Sequence, residues 1–302
     1  QRSTQNPRGA VQATGASSVA SILRNLKDNM LTYGMDNLCS AGTVGFAQPD
    51  ILQKYIYLCQ DNLLRLAEGL GGMWLDIPSA PDWCRFSATR TNDILTHIDS
   101  AVGVTIDFPN PFPGEYGLKT DRGVCCFRSI SAIYLAFRVS QLCRGIENPR
   151  VLEIGPGVGR SVYYAHRLGI EDYTCVDLPF PAGVVQSYYL MRTLGSEKVQ
   201  LLGENADESK IRIIDPETFY AGTGYYDLIV NMDSLTEVGS PVAKKYWDMI
   251  SRSCSKFLSI NHESNGYRIR DMAMSSSVSG YTRHPDWLHP GYVEELVEFK
   301  HY

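Results

Sequence analysis

The residues best suited to chemistry stand in one short stretch, Arg150-Val-Leu-Glu-Ile-Gly-Pro-Gly-Val-Gly-Arg160, where an apolar run ends in glycines and opens onto a helical pattern. It reads as strand, tight turn, helix. Gly155, Gly157 and Gly159 permit positive φ and close approach of a ligand, and the helix that follows presents unbonded N–H groups at the positive end of its dipole. A dinucleotide site of the G-x-G-x-x-G type starts in the same way. Its third glycine would fall on Arg160, which removes the close helix-to-strand packing of that pattern. Glu153, two residues before the first glycine, would repel a pyrophosphate and suits a cationic amino group. A second strand, Tyr173-Thr-Cys-Val, runs into Asp177, about twenty residues past Gly157, where a carboxylate can hold both hydroxyls of a ribose.

Two later strands end in polar clusters. Tyr226-Asp-Leu-Ile-Val leads to Asn231, Asp233, Ser234 and Glu237, and Lys256-Phe-Leu-Ser-Ile leads to Asn261, His262 and Glu263. In an open α/β sheet, ligands bind beyond the carboxyl ends of the strands, so these side chains are expected to converge on one cleft. Upstream, Asp121-Arg-Gly-Val-Cys-Cys-Phe-Arg128 leads into a helix from Ser129 to about Leu142, and Arg122 and Arg128 are placed to reach a ligand carboxylate.

Glu153, the glycine turn and Asp177 together resemble the cofactor site of the Rossmann-like (class I) S-adenosylmethionine-dependent methyltransferases, over roughly residues 120–302. The resemblance implies an α/β fold, a Rossmann-like methyltransferase sheet flanked by helices, with S-adenosyl-L-methionine as cofactor. It sets Glu153, Gly155, Gly157 and Gly159 against the methionine part and Asp177 with Leu178 at the ribose, with Asn231 and Arg128 completing the cofactor site. Within this class, Val-Asp-Leu-Pro at 176–179, Asn-Met-Asp-Ser-Leu-Thr-Glu at 231–237, Ser-Ile-Asn-His-Glu at 259–263 and the segment Arg283–Tyr292 resemble the sugar O-methyltransferase family of polysaccharide gene clusters. That resemblance implies a sugar or glycan acceptor. Asn231, Ser234, Glu237 and Asn261 are the positions that match its pattern.

Methyl transfer to a hydroxyl needs a base beside the cleft. His262, at the end of the fifth strand, is the preferred candidate, with Asp233 and Glu237 as carboxylates that accept the proton or hold sugar hydroxyls. His284 and His289 fall in an aromatic and proline-rich segment before the final strands. No metal-ligand motif is present, and a divalent ion on Asp233 and Glu263 is left open. Two other readings stay in play: a small-molecule or phenol O- or N-methyltransferase, and a catalytically silent binding module of the same fold.

Strands alternating with helical patterns from 150 onward imply a parallel sheet, with residues 198–202 and 211–214 both candidates for its third strand. The organisation expected is a tail or linker at 1–16, a helical accessory or lid segment at 17–115 and the catalytic domain at 116–302. Helices are expected over about 16–33 and 49–69, and Pro78 to Pro113 reads as irregular. The accessory segment is compatible with a homodimer. The first residue, Gln1, is compatible with a piece of a longer polypeptide in which a glycosyltransferase domain adjoins this one.

Composition narrows the classes. The chain of 302 residues with 44% hydrophobic content can build a sizeable core. A net charge of −5 and a pI near 5.7 argue against a nucleic-acid partner. No apolar run approaches the ~20 residues that span a bilayer, so a soluble, cytoplasmic protein is expected. Eight cysteines without C-x-x-C or zinc spacing are expected to be buried thiols in a reducing compartment.

Overall fold

The computed structural model describes residues 49–75, 89–112, 114–204 and 211–300. Helix α1, Pro49–Gly69, is the expected one, and it buries Cys59, Leu63, Leu66 and Ala67 along one stripe. The expected helix over 16–33, the tail 1–16 and the aromatics Trp83 and Phe86 lie outside the described residues. The stretch from Pro78 to Pro113 is not irregular throughout, because Thr91–Val102 forms a helix, α2. Its prolines stand outside that window, Ile94, Leu95 and Ile98 make a buried stripe, and Gly103 closes the helix at φ 78°. Phe108 and Phe112 enter the core, while Trp74 is exposed.

A hairpin of β1, Leu118–Thr120, and β2, Gly123–Cys125, turns at Asp121 and Arg122. Arg122 does not reach a ligand site. Its Nη1 donates to Asp99 Oδ2 at 2.6 Å and to the Ile106 carbonyl at 3.1 Å, tying the hairpin to α2. Helix α3, Phe127–Leu142, follows.

The sheet comprises β3 (Arg150–Ile154), β4 (Asp172–Val176), β5 (Val199–Gln200), β6 (Ile211–Ile214), β7 (Leu228–Met232), β8 (Lys256–His262), β9 (Val278–Pro285) and β10 (Tyr292–Phe299). Between them run α4 (Arg160–Arg167), α5 (Val184–Leu194), α6 (Pro216–Ala221), α7 (Ser240–Ser253) and α8 (Ile269–Met274). The strand order is β5-β6-β4-β3-β7-β8-β10-β9, parallel from β5 to β8, with β10 antiparallel to both its neighbours. This is the expected Rossmann-like α/β sheet. Of the two candidates for its third strand, 211–214 lies beside β4, and only Val199 and Gln200 of the other pair, at the edge. His284 belongs to the edge strand β9, not to a loop before it, because Val278–Pro285 pairs with Val293–Phe299 of β10.

Successive residues of β3 face opposite layers, as a pleated strand requires. Val151 packs with α1 to α5 on one face, and Leu152 and Ile154 pack with α6 to α8 on the other. Glu153 therefore points to the same face as α3 and α4. After β3 the chain lays β4 and β6 to one side, then returns to place β7 and β8 on the other. The carboxyl ends of β3 and β7 thus form a switch point, where an open sheet leaves a crevice. Six described cysteines, Cys59, Cys125, Cys126, Cys143, Cys175 and Cys254, are buried and unpaired as disulfides. Among the described residues, no helix is long and apolar enough to cross a membrane.

Candidate active site

At the switch point lies a cavity of about 300 Å³, walled by Glu153, Gly155 to Val158, Arg160 and Ser161 on one side. Phe127, Arg128, Ser131, Met232, Asp233, His289 and Tyr292 are on the other. The glycine turn has its local cause in packing as well as in ligand approach. A Cβ on Gly155, which sits at φ 73°, would come 2.2 Å from Ser234 Oγ, so only glycine lets the β7 exit loop lie this close. Gly159 caps α4 at φ 94° and stands outside the cavity lining, against Leu190.

Glu153 is buried at the back of the cavity. Its Oε2 accepts from Ser161 Oγ at 2.6 Å and Tyr173 OH at 2.8 Å, and its Oε1 has no hydrogen-bond partner among the described residues. Burial pushes this carboxyl up to about 7, opposed by those two hydrogen bonds and reinforced by the nearby charge of Asp177. Asp177 follows β4. It accepts from the Leu178 amide and from Gln186 Nε2, both at 2.8 Å. Burial raises this carboxyl too. Asp177 and Leu178 stand beside the glycine turn and outside the lining of the cavity; Leu178 is largely exposed. Arg128, in the first turn of α3, lines the cavity and makes no ion pair or hydrogen bond among the described residues. Arg160, which replaces the third glycine of a dinucleotide turn, forms a buried pair with Glu115 and lies over the Tyr189 ring.

Asn231 does not line the cavity. It is fully buried, and its amide donates to the Ile154 carbonyl at 2.8 Å and to Ser234 Oγ, while its oxygen accepts from Leu235 N and from Asn261 Nδ2 at 2.8 Å. Asn261 also bonds Ser259 and Thr236. The two asparagines and Ser234 thus form one buried network that holds the last carbonyl of β3 just before Gly155.

Asp233, Glu237 and His262 do come together, their ligand-capable atoms lying within 4.8 Å of one another. Asp233 is left-handed at φ 55°, a conformation an aspartate tolerates better than most residues. Its Oδ1 accepts from Tyr292 OH at 3.0 Å and lies 3.9 Å from His262 Nε2. His262 Nε2 is 3.4 Å from Glu237 Oε1, and its Nδ1 is 2.6 Å from Ser264 Oγ. Of the three, only Asp233 lines the cavity. Glu263, considered above for a metal, instead pairs with Arg283 at 2.7 Å and Arg268 at 3.5 Å. Among the described residues, the group that could hold an ion is Asp233, Glu237 and His262.

A second histidine group forms around His289, whose place in the sequence favoured it less than His262. His289 is buried in the cavity wall, with Nδ1 2.6 Å from Asp286 Oδ2 and Nε2 3.1 Å from Ser131 Oγ. Asp-x-x-His at 286–289 between two prolines was the available signal. Ser131, 158 residues upstream, gave none.

The sequence matches no protein-family model and no curated protein. Solved structures similar to this chain include methyltransferases. The magnesium protoporphyrin IX methyltransferase ChlM from Synechocystis PCC 6803 is 13% identical, with 56% of this chain and 77% of that one covered at a TM-score of 0.40. The mitomycin 7-O-methyltransferase MmcR is 11% identical, with 56% and 54% covered at 0.41. The methyltransferase domain of bacterial CtHen1-C is 10% identical, with 56% and 98% covered at 0.42.

Proposed function

We propose that the protein is an S-adenosylmethionine-dependent O-methyltransferase whose acceptor is a sugar hydroxyl. The observation that carries this reading is a buried carboxylate, Glu153, facing a glycine turn, with Asp177 at the end of the neighbouring strand. The cofactor fits the charges present. The open Oε1 of Glu153 suits its ammonium group, Arg128 its carboxylate, and Asp177 its ribose hydroxyls. When bound it supplies an electrophilic methyl group on a sulfonium. The residues of this chain then have to orient the acceptor and receive its proton.

Asp233, which lines the cavity, with Glu237 and His262 clustered behind it, holds the acceptor. Neighbouring carboxylates accept two hydrogen bonds each from vicinal hydroxyls, which suits a polyol better than a flat phenol. Tyr292, bonded to Asp233, fixes the carboxylate that reaches the cavity. The test begins with calorimetric titration of S-adenosylhomocysteine into the wild type and Asp177→Ala. Micromolar binding is expected, weakened by roughly 10- to 100-fold in the variant, the loss of one to two charge-assisted hydrogen bonds. A panel of methyl rhamnosides, fucosides and phenols, scored by mass for a methyl gain, then tests the acceptor. Gain on phenols alone would replace the sugar by an aromatic acceptor.

A further inference from the structure

On the methyltransferase reading, we infer that the acceptor's proton passes to Nε2 of His289, oriented by Asp286 and bonded by Ser131. The hydrogen bonds fix the tautomer. Asp286 Oδ2 accepts from the amides of Leu288 at 3.2 Å and His289 at 2.8 Å, and lies 2.6 Å from His289 Nδ1. A carboxylate can only accept, so Nδ1 carries hydrogen and Nε2 is the bare, basic nitrogen. The other oxygen, Asp286 Oδ1, is buried with no partner among the described residues. Its charge is thus answered from one side only, and a positive ring on His289 gains from it when the proton arrives.

Ser131 makes the arrangement reversible. Its hydroxyl lies 3.1 Å from Nε2 and 3.0 Å from the Phe127 carbonyl, one turn back along α3. The hydroxyl can donate to either of them. When an acceptor hydroxyl donates there instead, the serine rotates to the carbonyl and no hydrogen bond is lost. The acceptor's proton moves to Nε2, the O–H electron pair stays on the acceptor oxygen, and the proton later returns to solvent. Phe127 meets the ring edge-on at a centroid distance of 4.7 Å and Tyr292 packs tilted against it at 5.2 Å, so both restrict its rotation. The charged and titratable groups around it are Asp286 on its own turn, Tyr134 and Arg128 on α3, Tyr292 on β10 and Asp233 at the end of β7. His262, by contrast, stands outside the cavity lining with Nδ1 on Ser264.

Two readouts on the full chain test this. Nitrogen-15 NMR of the histidine rings needs no acceptor: at pH 8 His289 is expected as the Nδ1–H tautomer in the wild type and in Ser131→Ala, and to lose that preference in Asp286→Asn. An Nε2–H ring in the wild type overturns the assignment. On the acceptor identified by mass, His289→Gln is expected to lower kcat at least about 100-fold while S-adenosylhomocysteine affinity stays within about twofold. His262→Gln is expected to act chiefly on KM. In Asp286→Asn the acid limb of kcat moves to lower pH, a shift that a purely structural aspartate would not cause. If His289→Gln turns over within about threefold of wild type, the base lies elsewhere. Failure of S-adenosylhomocysteine to bind the wild type removes the methyltransferase reading itself; binding with an Nε2–H ring removes this assignment alone.

Discussion

At the scale of single residues, Glu153 sets stability against ligand binding. Its carboxyl is buried and raised to about 7, so ionising it in the folded protein costs more than in the unfolded chain. A raised carboxyl contributes stability that is complete below the unfolded value near 4.5 and lost as pH rises through about 7. Thermal melts of the unliganded wild type are therefore expected to fall between pH 5 and 8. Glu153→Gln, which keeps the shape and removes the charge, should lose this part of the fall and gain at most roughly 3 kcal/mol at pH 8. Binding runs the other way. A neutral Glu153 cannot pair with an ammonium group, so affinity for S-adenosylhomocysteine should drop as pH falls below about 7, and drop at every pH in Glu153→Gln. Both trends come from one titration series.

At the scale of elements, β3, β7 and β8 are locked together at their carboxyl ends by Asn231, Ser234 and Asn261. Asn231→Ala would leave the Ile154 carbonyl and Asn261 amide short of partners in a dry site. The expected loss is about 2 to 3 kcal/mol in urea unfolding, with weaker cofactor binding because the glycine turn starts at that carbonyl. These positions show what sequence could and could not convey. The strands were legible because β3, β4, β7 and β8 are short apolar runs closed by polar or glycine residues, and Gly155 and Asp177 carry their signals locally. That Asn231 turns inward to a backbone carbonyl was not legible. Nor was the Asp286, His289 and Ser131 group, because its members come from one turn and one distant helix. Helix α2 was hidden for a simpler reason: its 12 residues lie between two proline-rich segments that dominated the pattern.

At the scale of the whole molecule, the two described helices of the accessory segment are built into the sheet domain. Leu63 and Leu66 of α1 and Ile94 and Ile98 of α2 share one core with Ile130 and Ile133 of α3, the helix whose first turn lines the cavity. Leu66→Ala is expected to cost about 2 to 5 kcal/mol. It should lower the melting temperature of the entire chain by several degrees in one transition, with no separate early unfolding step. The same helix touches the far side of the cavity wall. Trp287 donates its indole N–H to the Arg65 carbonyl at 2.7 Å, and its ring lies so close to Gly69 that a Cβ there would come within 2.7 Å of it. Trp287 is next in sequence to Asp286 and two residues before His289. The turn thus carries its own fluorophore, held against α1 on one side and tied to the cavity on the other. Occupancy of the cavity should be visible as a change in tryptophan emission that disappears in Trp287→Phe, giving an optical record of binding from a residue that lies outside the cavity lining.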